Sequence, residues 1–432
     1  MNKKLRWKGT FPSLFLMIAM VKASSLLAFG VIDGDLPKTV FTHYDVQLKI
    51  DIKREFIATV FNINYQHEGK QVDSLQLFLN NSMTIEKLEA AYLKDFKIQA
   101  ATFSDKVNEI TLLFSQNIKP GDRIPIQIHY AGQLRQEDMP FAVDLISEQW
   151  LELSVNSFWH PIFKGFLTNF TADVTLELPG NFEVVSSGKV SRKGDRFLIH
   201  NAVPQVDIAF CASPKFLKRA EGKMNIFYTN PEQPFLDALI RHGSQSLTFL
   251  NNWLGNNDSI PYGKIVIAPR PETGYARKHF IILSNLKNSD EAHLSNFIAH
   301  EFAHFWWLKG DSNTDANWLN ESFAEYTALQ YQREVLGEAF FQEQIEKLRK
   351  RSAGLPPIIT EGSNERQSHD VLYHKGPLKL YELEQVIGKK PMQTLLQKVN
   401  EKSVKTTETL LSLVKILHGV EIAAGFEQSL KQ

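Results

Sequence analysis

Between residues 40 and 215, apolar and polar positions alternate along the chain. Tyr44, Val46, Leu48 and Ile50 are separated by polar neighbours, and the same period of two runs through Ile57, Thr59, Phe61, Ile63 and Tyr65, then Leu75, Leu77 and Leu79. The turn-forming "KPGDR" precedes Ile124, Ile126, Ile128 and Tyr130, and the run from Phe170 through Ala172, Val174, Leu176 and Leu178 ends at "PGN". Successive side chains of a strand point to opposite faces, so each run predicts a strand with one buried face. This many short strands predict an all-β sandwich or saddle-shaped sheet.

Near residue 220 the period changes. "QPFLDALIRHGSQSLTFLNNWLG" carries apolar residues at helical spacing and stops at Gly255. "KIVIAP" predicts a short buried strand. From residue 290 the spacing is helical almost to the end, broken by "SAGLPPIITEGSNERQSHD". The pattern predicts a β domain over residues 31–219 and an α-rich domain over 220–432.

The 432 residues are 43% hydrophobic and 22% charged, enough for a globular chain with substantial cores. Lys plus Arg equals Asp plus Glu at 48 each, which argues for neither nucleic acid nor an acidic membrane as partner. The single cysteine, Cys211, rules out an internal disulfide and a cysteine zinc cage, and in "DIAFCASP" it reads as a small buried apolar residue. At the N-terminus, "MNKKLRWKG" is basic, and "TFPSLFLMIAMV" has the length of a signal-peptide core. Lys22 interrupts the apolar run, which disfavours an uncleaved anchor, and cleavage after Ala23 or after Gly30 fits the small residues there. Residues 1–30 are therefore expected to be a signal peptide, leaving no stable membrane anchor. The mature chain is expected to be exported, either periplasmic or secreted.

"IAHEFAHFWW" carries the chemistry. On a helix, His300 and His304 lie one turn apart on one face and can share a metal. Catalytic zinc takes three protein ligands and leaves a position for water. Glu301 is then placed to act as a general base rather than a ligand. Two histidines at this spacing also occur by chance on ordinary helices, so a third ligand is needed. Downstream, the polar residues 310–317 should end the first helix, and a second should begin near Trp318 with Glu321 and Glu325 able to face back.

"HEFAHFWW" followed by "WLNESFAEY" resembles the zinc aminopeptidases typified by aminopeptidase N, within the thermolysin-like gluzincins. The resemblance implies Zn2+ held by His300, His304 and Glu321, with Glu325 an outer or surface carboxylate. The gap of 16 residues between His304 and Glu321 (321 − 304 − 1) is shorter than the family's usual one. The deletion falls in the polar loop and is expected to shorten the connection without moving the ligand. Ser322 replaces the usual glycine. "VLYHKGPLKLYELEQVIG" resembles the family's "Y-x-KG" segment and implies Tyr373 as the hydrogen-bond donor to the oxyanion, with no role for His374.

The family also binds the substrate's α-amine with carboxylates, one of them in a "GxMEN" loop. The counterpart here is "GYARKHFIIL": Gly274 is kept, but Arg277 stands at the glutamate's place. A like charge against an ammonium costs several kcal/mol, in order of magnitude. The second anchor of the family, an acidic or amide residue nine before a proline, corresponds to Glu152 before Pro161. The opening strands "YDVQLKIDI" and "LQLFLNNSMTIEKL" and the close "GVEIAAGFEQSLKQ" extend the resemblance over most of the mature chain. Larger members continue into a helical domain over the active site. None is expected here, so the site should be more open. The expected function is an aminopeptidase-like zinc peptide hydrolase. Two alternatives stand beside it: a zinc peptidase or amidase for blocked or acidic peptides, which Arg277 favours, and a zinc-binding module without catalysis, which would need neither Glu301 nor Tyr373.

Overall fold

The computed structural model describes residues 42–432 apart from 142, 165–167, 256–257, 271–273 and 285–288. The expected signal peptide, residues 1–30, lies outside the described residues. No helix among them is long and apolar enough to cross a membrane.

The first half is built of β-sheets. A seven-stranded sheet runs Lys189–Lys193, Arg196–Gln205, Phe170–Glu177, Thr42–Asp51, Phe56–Gln66, Arg123–Gln133 and Thr84–Ala90. Thr42–Asp51 pairs in parallel with Phe170–Glu177 and antiparallel with Phe56–Gln66. A four-stranded sheet of Ile162–Phe163, Val72–Asn80, Ser104–Ile118 and Leu93–Ala101 contributes to the same core. The alternating residues meet there: Val46, Phe61, Leu77, Ile110, Ile128 and Val174 are buried in one cluster. A second four-stranded sheet joins Glu183–Ser186, Phe210–Ser213, Leu151–Leu153 and Leu145–Ile146, and Cys211 is buried within it.

The second half opens with a five-stranded sheet ordered Leu217–Glu221, Met224–Tyr228, Gly263–Ala268, Phe280–Ser284 and Tyr275–Arg277. The expected division at 219/220 falls inside the first of these strands, which hydrogen-bonds to Met224–Tyr228 and so to the sheet of the second half. Eight helices follow or intervene among the described residues: α1 (Leu236–Leu254), α2 (Glu291–Ala303), α3 (Trp318–Leu336), α4 (Glu338–Ser352), α5 (Gly376–Ile387), α6 (Lys389–Glu401), α7 (Thr407–His418) and α8 (Val420–Leu430). Their apolar faces share a core that includes Leu250, Ile298, Phe302, Trp318, Leu380 and Val414. The described residues thus form an N-terminal β domain followed by an α-rich domain.

The halves are joined by apolar and polar contacts. Val143, Trp150 and Cys211 pack with Val266, Phe280 and Ile282. The Lys264 ammonium donates to the carbonyls of Ser186 and Gly188 at 2.7 and 2.6 Å. The strand Tyr275–Arg277 packs beside α2, so this junction lies next to the histidine helix.

Candidate active site

α2 starts at Asp290, whose carboxylate caps it by accepting from the His293 N–H at 2.7 Å. Its last turns bury His300 and Glu301. His304 closes the helix, and its Nδ1 donates to the Trp307 carbonyl at 2.9 Å. The polar connection is pinned to α3 by Asn320, whose side-chain oxygen accepts from the Lys309 and Gly310 N–H groups, both at 3.0 Å. Glu321 then comes back within 3.6 Å of both Nε2 atoms.

The shorter loop therefore still delivers a carboxylate to the two imidazoles. A tetrahedral zinc with ligands about 2.0–2.2 Å away would separate them by roughly 3.4 Å. Glu321 Oε1 is buried with no hydrogen-bond partner among the described residues, as expected of an oxygen placed for a cation. Each histidine has its other nitrogen engaged: His300 Nδ1 lies 3.0 Å from Glu325 Oε2 and His304 Nδ1 on the Trp307 carbonyl. Such outer hydrogen bonds fix the tautomer that leaves Nε2 for a metal. Glu325 therefore orients His300. The electrostatics agree: burial alone would lower His300, but Glu321 and Glu325 outweigh it and raise the imidazole to about 10. Glu321 stays low despite burial because both histidines face it. The group attracts positive charge, and its donors fit zinc.

Glu301 is buried beside these ligands. Burial pushes its carboxyl up to about 7, with Glu321 adding to the rise and His300 and Arg277 opposing it. Tyr373 lies in a wide helical turn, Val371–Lys375, that leads into α5. Its ring stacks between His300 at 5.3 Å and His369 at 4.4 Å. Its hydroxyl donates to Glu321 Oε2 at 2.6 Å, and burial, reinforced by Glu321, holds it protonated. Gly376 permits the approach of α5 to α3, because a Cβ there would stand 1.8 Å from Ser322 Oγ. Ser322 in turn donates to the Leu372 carbonyl at 2.7 Å. His374 lies near Asp370 and Arg351.

The residues expected to bind the substrate's amine have other partners. Gly274 sits against the facing strand, where a Cβ would meet the Ile282 carbonyl oxygen at 1.9 Å. The Glu152 carboxylate takes a forked pair from Arg270, Nε at 2.9 Å and Nη2 at 2.7 Å, and a third bond from Trp150 at 3.1 Å. Arg277 donates through Nε to Asp207 at 2.5 Å and through Nη1 to the Ala276 carbonyl at 2.8 Å. His160 Nε2 lies 3.5 Å from the other Asp207 oxygen. Burial would raise Asp207, but Arg277 and His160 hold it below the usual carboxylate range. Nearby, Asp144 accepts from the Ser154 N–H and from the Ser154 and Ser157 hydroxyls, yet burial and Glu152 push it up to about 7. The motif reading missed Arg270, Asp207, His160 and Asp144. Their one signal was a charge inside an apolar run, as in "PQVDIAF" and "KIVIAPR", since buried charges are rarely left unpaired.

Residues 273–427 match the model of the peptidase family M1 domain. Over these residues the chain resembles the M1 peptidases. Solved structures share its fold. An M1 zinc metallopeptidase from Deinococcus radiodurans is 16% identical with a TM-score of 0.66, over 90% of this chain and 93% of that one. A mutant of the Deinococcus radiodurans enzyme bound to a Tyr-Ser-Ala substrate matches with the same identity, TM-score and coverage, 16%, 0.66, 90% and 93%. Leukotriene A4 hydrolase from Saccharomyces cerevisiae is 17% identical with a TM-score of 0.67, over 90% of this chain and 67% of that one. No curated protein sequence matches. The M1 domain takes Zn2+ as its cofactor.

Proposed function

We propose that this chain is an aminopeptidase-like zinc peptidase in which His300, His304 and Glu321 hold the metal. The observation that carries the reading is the convergence of two oriented Nε2 atoms on Glu321 at 3.6 Å. Zinc bound there would act as a Lewis acid, polarising the scissile carbonyl and the attacking water. Glu301 takes a proton from that water and passes it to the leaving amine. The Tyr373 hydroxyl turns from Glu321 to donate to the developing oxyanion. Peptide substrates are supported by the Deinococcus radiodurans relative bound to Tyr-Ser-Ala.

Removal of single N-terminal residues is the reading the family resemblance supports. A second reading, cleavage of peptides without a free amino end, is favoured by the pairing of Glu152 with Arg270 and of Asp207 with Arg277. The test uses the zinc-loaded mature chain and one peptide set in free and acetylated forms. Products are read by mass, with Glu301→Gln as the blank. Cleavage of either set supports hydrolysis. No cleavage in either set, with zinc bound, would leave a binding module. Export, periplasmic or secreted, rests on the N-terminal pattern, and fractionation of the producing cells checks it.

A further inference from the structure

The junction beside α2 gathers four charges from four separate segments, and they cancel in pairs. Arg270 covers Glu152, and Arg277 covers Asp207. In each pair the carboxylate side chain is fully buried, while the arginine keeps 5% or 6% of its surface. Both members of each pair are thus buried, the carboxylate completely. A substrate ammonium arriving here finds each of these two carboxylates already holding its counter-charge. Asp144, the other acid at this junction, has its three hydrogen bonds from Ser154 and Ser157.

Two donors remain on one side of the strand Tyr275–Arg277. Arg277 Nη2 and the Tyr275 hydroxyl are both buried with no hydrogen-bond partner among the described residues. The guanidinium carbon lies 4.5 Å from the Tyr275 ring centroid, so the two donors share one neighbourhood. Buried donors without acceptors are few in native proteins, and each needs an explanation. Here the strand packs beside the helix of Glu301.

We propose that Tyr275 and Arg277 receive a neutral oxygen acceptor, an amide or acyl carbonyl, on the N-terminal side of the substrate. The preferred substrates are then peptides whose amino end is blocked or continues into further chain. This rests on the second hydrolytic reading above, cleavage of peptides without a free amino end, and names the groups that would receive such a substrate. A carboxylate at this place gains little over a carbonyl, because Glu152 and Asp207 already use both positive charges.

One peptide is prepared with a free, an acetylated and a succinylated amino end. Binding to the zinc-loaded Glu301→Gln protein is measured by calorimetry, and cleavage by the unaltered zinc-loaded protein is read by mass. The acetylated form should bind about tenfold tighter than the free form, a difference of about 1.4 kcal/mol. The succinylated form should lie within about threefold of the acetylated one. Arg277→Lys keeps a cation for Asp207 but loses the forked donor, and it should bring the acetylated-to-free ratio toward one. Tyr275→Phe, which removes the other donor without touching an ion pair, should lower the ratio too and guards against misfolding of the lysine variant.

Equal or tighter binding of the free form overturns the proposal. So does a succinylated form that far exceeds the acetylated one, a ratio that neither variant moves, or no binding of any form. Cleavage that prefers free ends would sink this proposal and leave the hydrolytic reading standing. Preferential binding of the acetylated form without cleavage would do the reverse.

Discussion

The two sides of the site are assembled in opposite ways. The metal side comes from α2, the start of α3 and the turn before α5, and it is electrostatically open. Two Nε2 atoms face Glu321 Oε2, the other Glu321 oxygen has no hydrogen-bond partner among the described residues, and the surrounding acids attract a positive charge. The other side comes from Glu152, Asp207, Arg270 and Arg277, and it is electrostatically closed, each carboxylate already covered by an arginine. Hydrolytic machinery has to be held ready for a cation and a water. On the proposed reading this is the substrate-facing surface, where counter-charges can be exchanged without disturbing that machinery, and the departure from the family pattern falls there.

The largest effect should come from the open side. Glu301→Gln should lower kcat by about 10²–10⁴-fold while zinc content, measured by elemental analysis, stays unchanged. A loss under tenfold would remove Glu301 from the proton-transfer role. On the closed side, Arg270→Ala should cost about 3–5 kcal/mol in denaturant unfolding, because it strands a buried Glu152. Replacing both members, Arg270→Met with Glu152→Leu, should recover most of that stability. If the single and double variants unfolded alike, the pair would not be the closed unit described here. Tyr373→Phe should reduce kcat by about 10²–10³-fold with little change in KM, and steady-state kinetics on a cleaved peptide would check it. The smallest effect belongs to Glu325→Gln, which loosens the hold on His300. Competition with a chelator should report zinc affinity weakened about 10–100-fold, and unchanged affinity would demote Glu325 to a surface carboxylate.

Much of the fold was legible because its signals are local. Tyr44, Val46, Leu48 and Ile50 are buried in alternation, as their period of two requires. The helix-loop-helix of the metal side was legible for the same reason: four residues make about one helical turn, so His300 and His304 share a face in any helix. The strands Leu217–Glu221 and Met224–Tyr228 were harder to assign. The first is mostly exposed and polar, "LKRAE", so no burial pattern marks it, and its membership of the second sheet is set by pairing to Met224–Tyr228. Glu152 and Arg277 were picked out by motif position, but their partners lie 118 and 70 residues away in sequence. No spacing rule reaches that far.

The sequence by itself determined the two-part architecture and the helix pair that carries His300, His304 and Glu321, because side-chain direction repeats with the backbone and needs no distant neighbour. The tertiary structure alone decided the charge balance beside that helix pair. Whether a buried charge remains available depends on the group that meets it across the fold, and desolvation makes that meeting decisive.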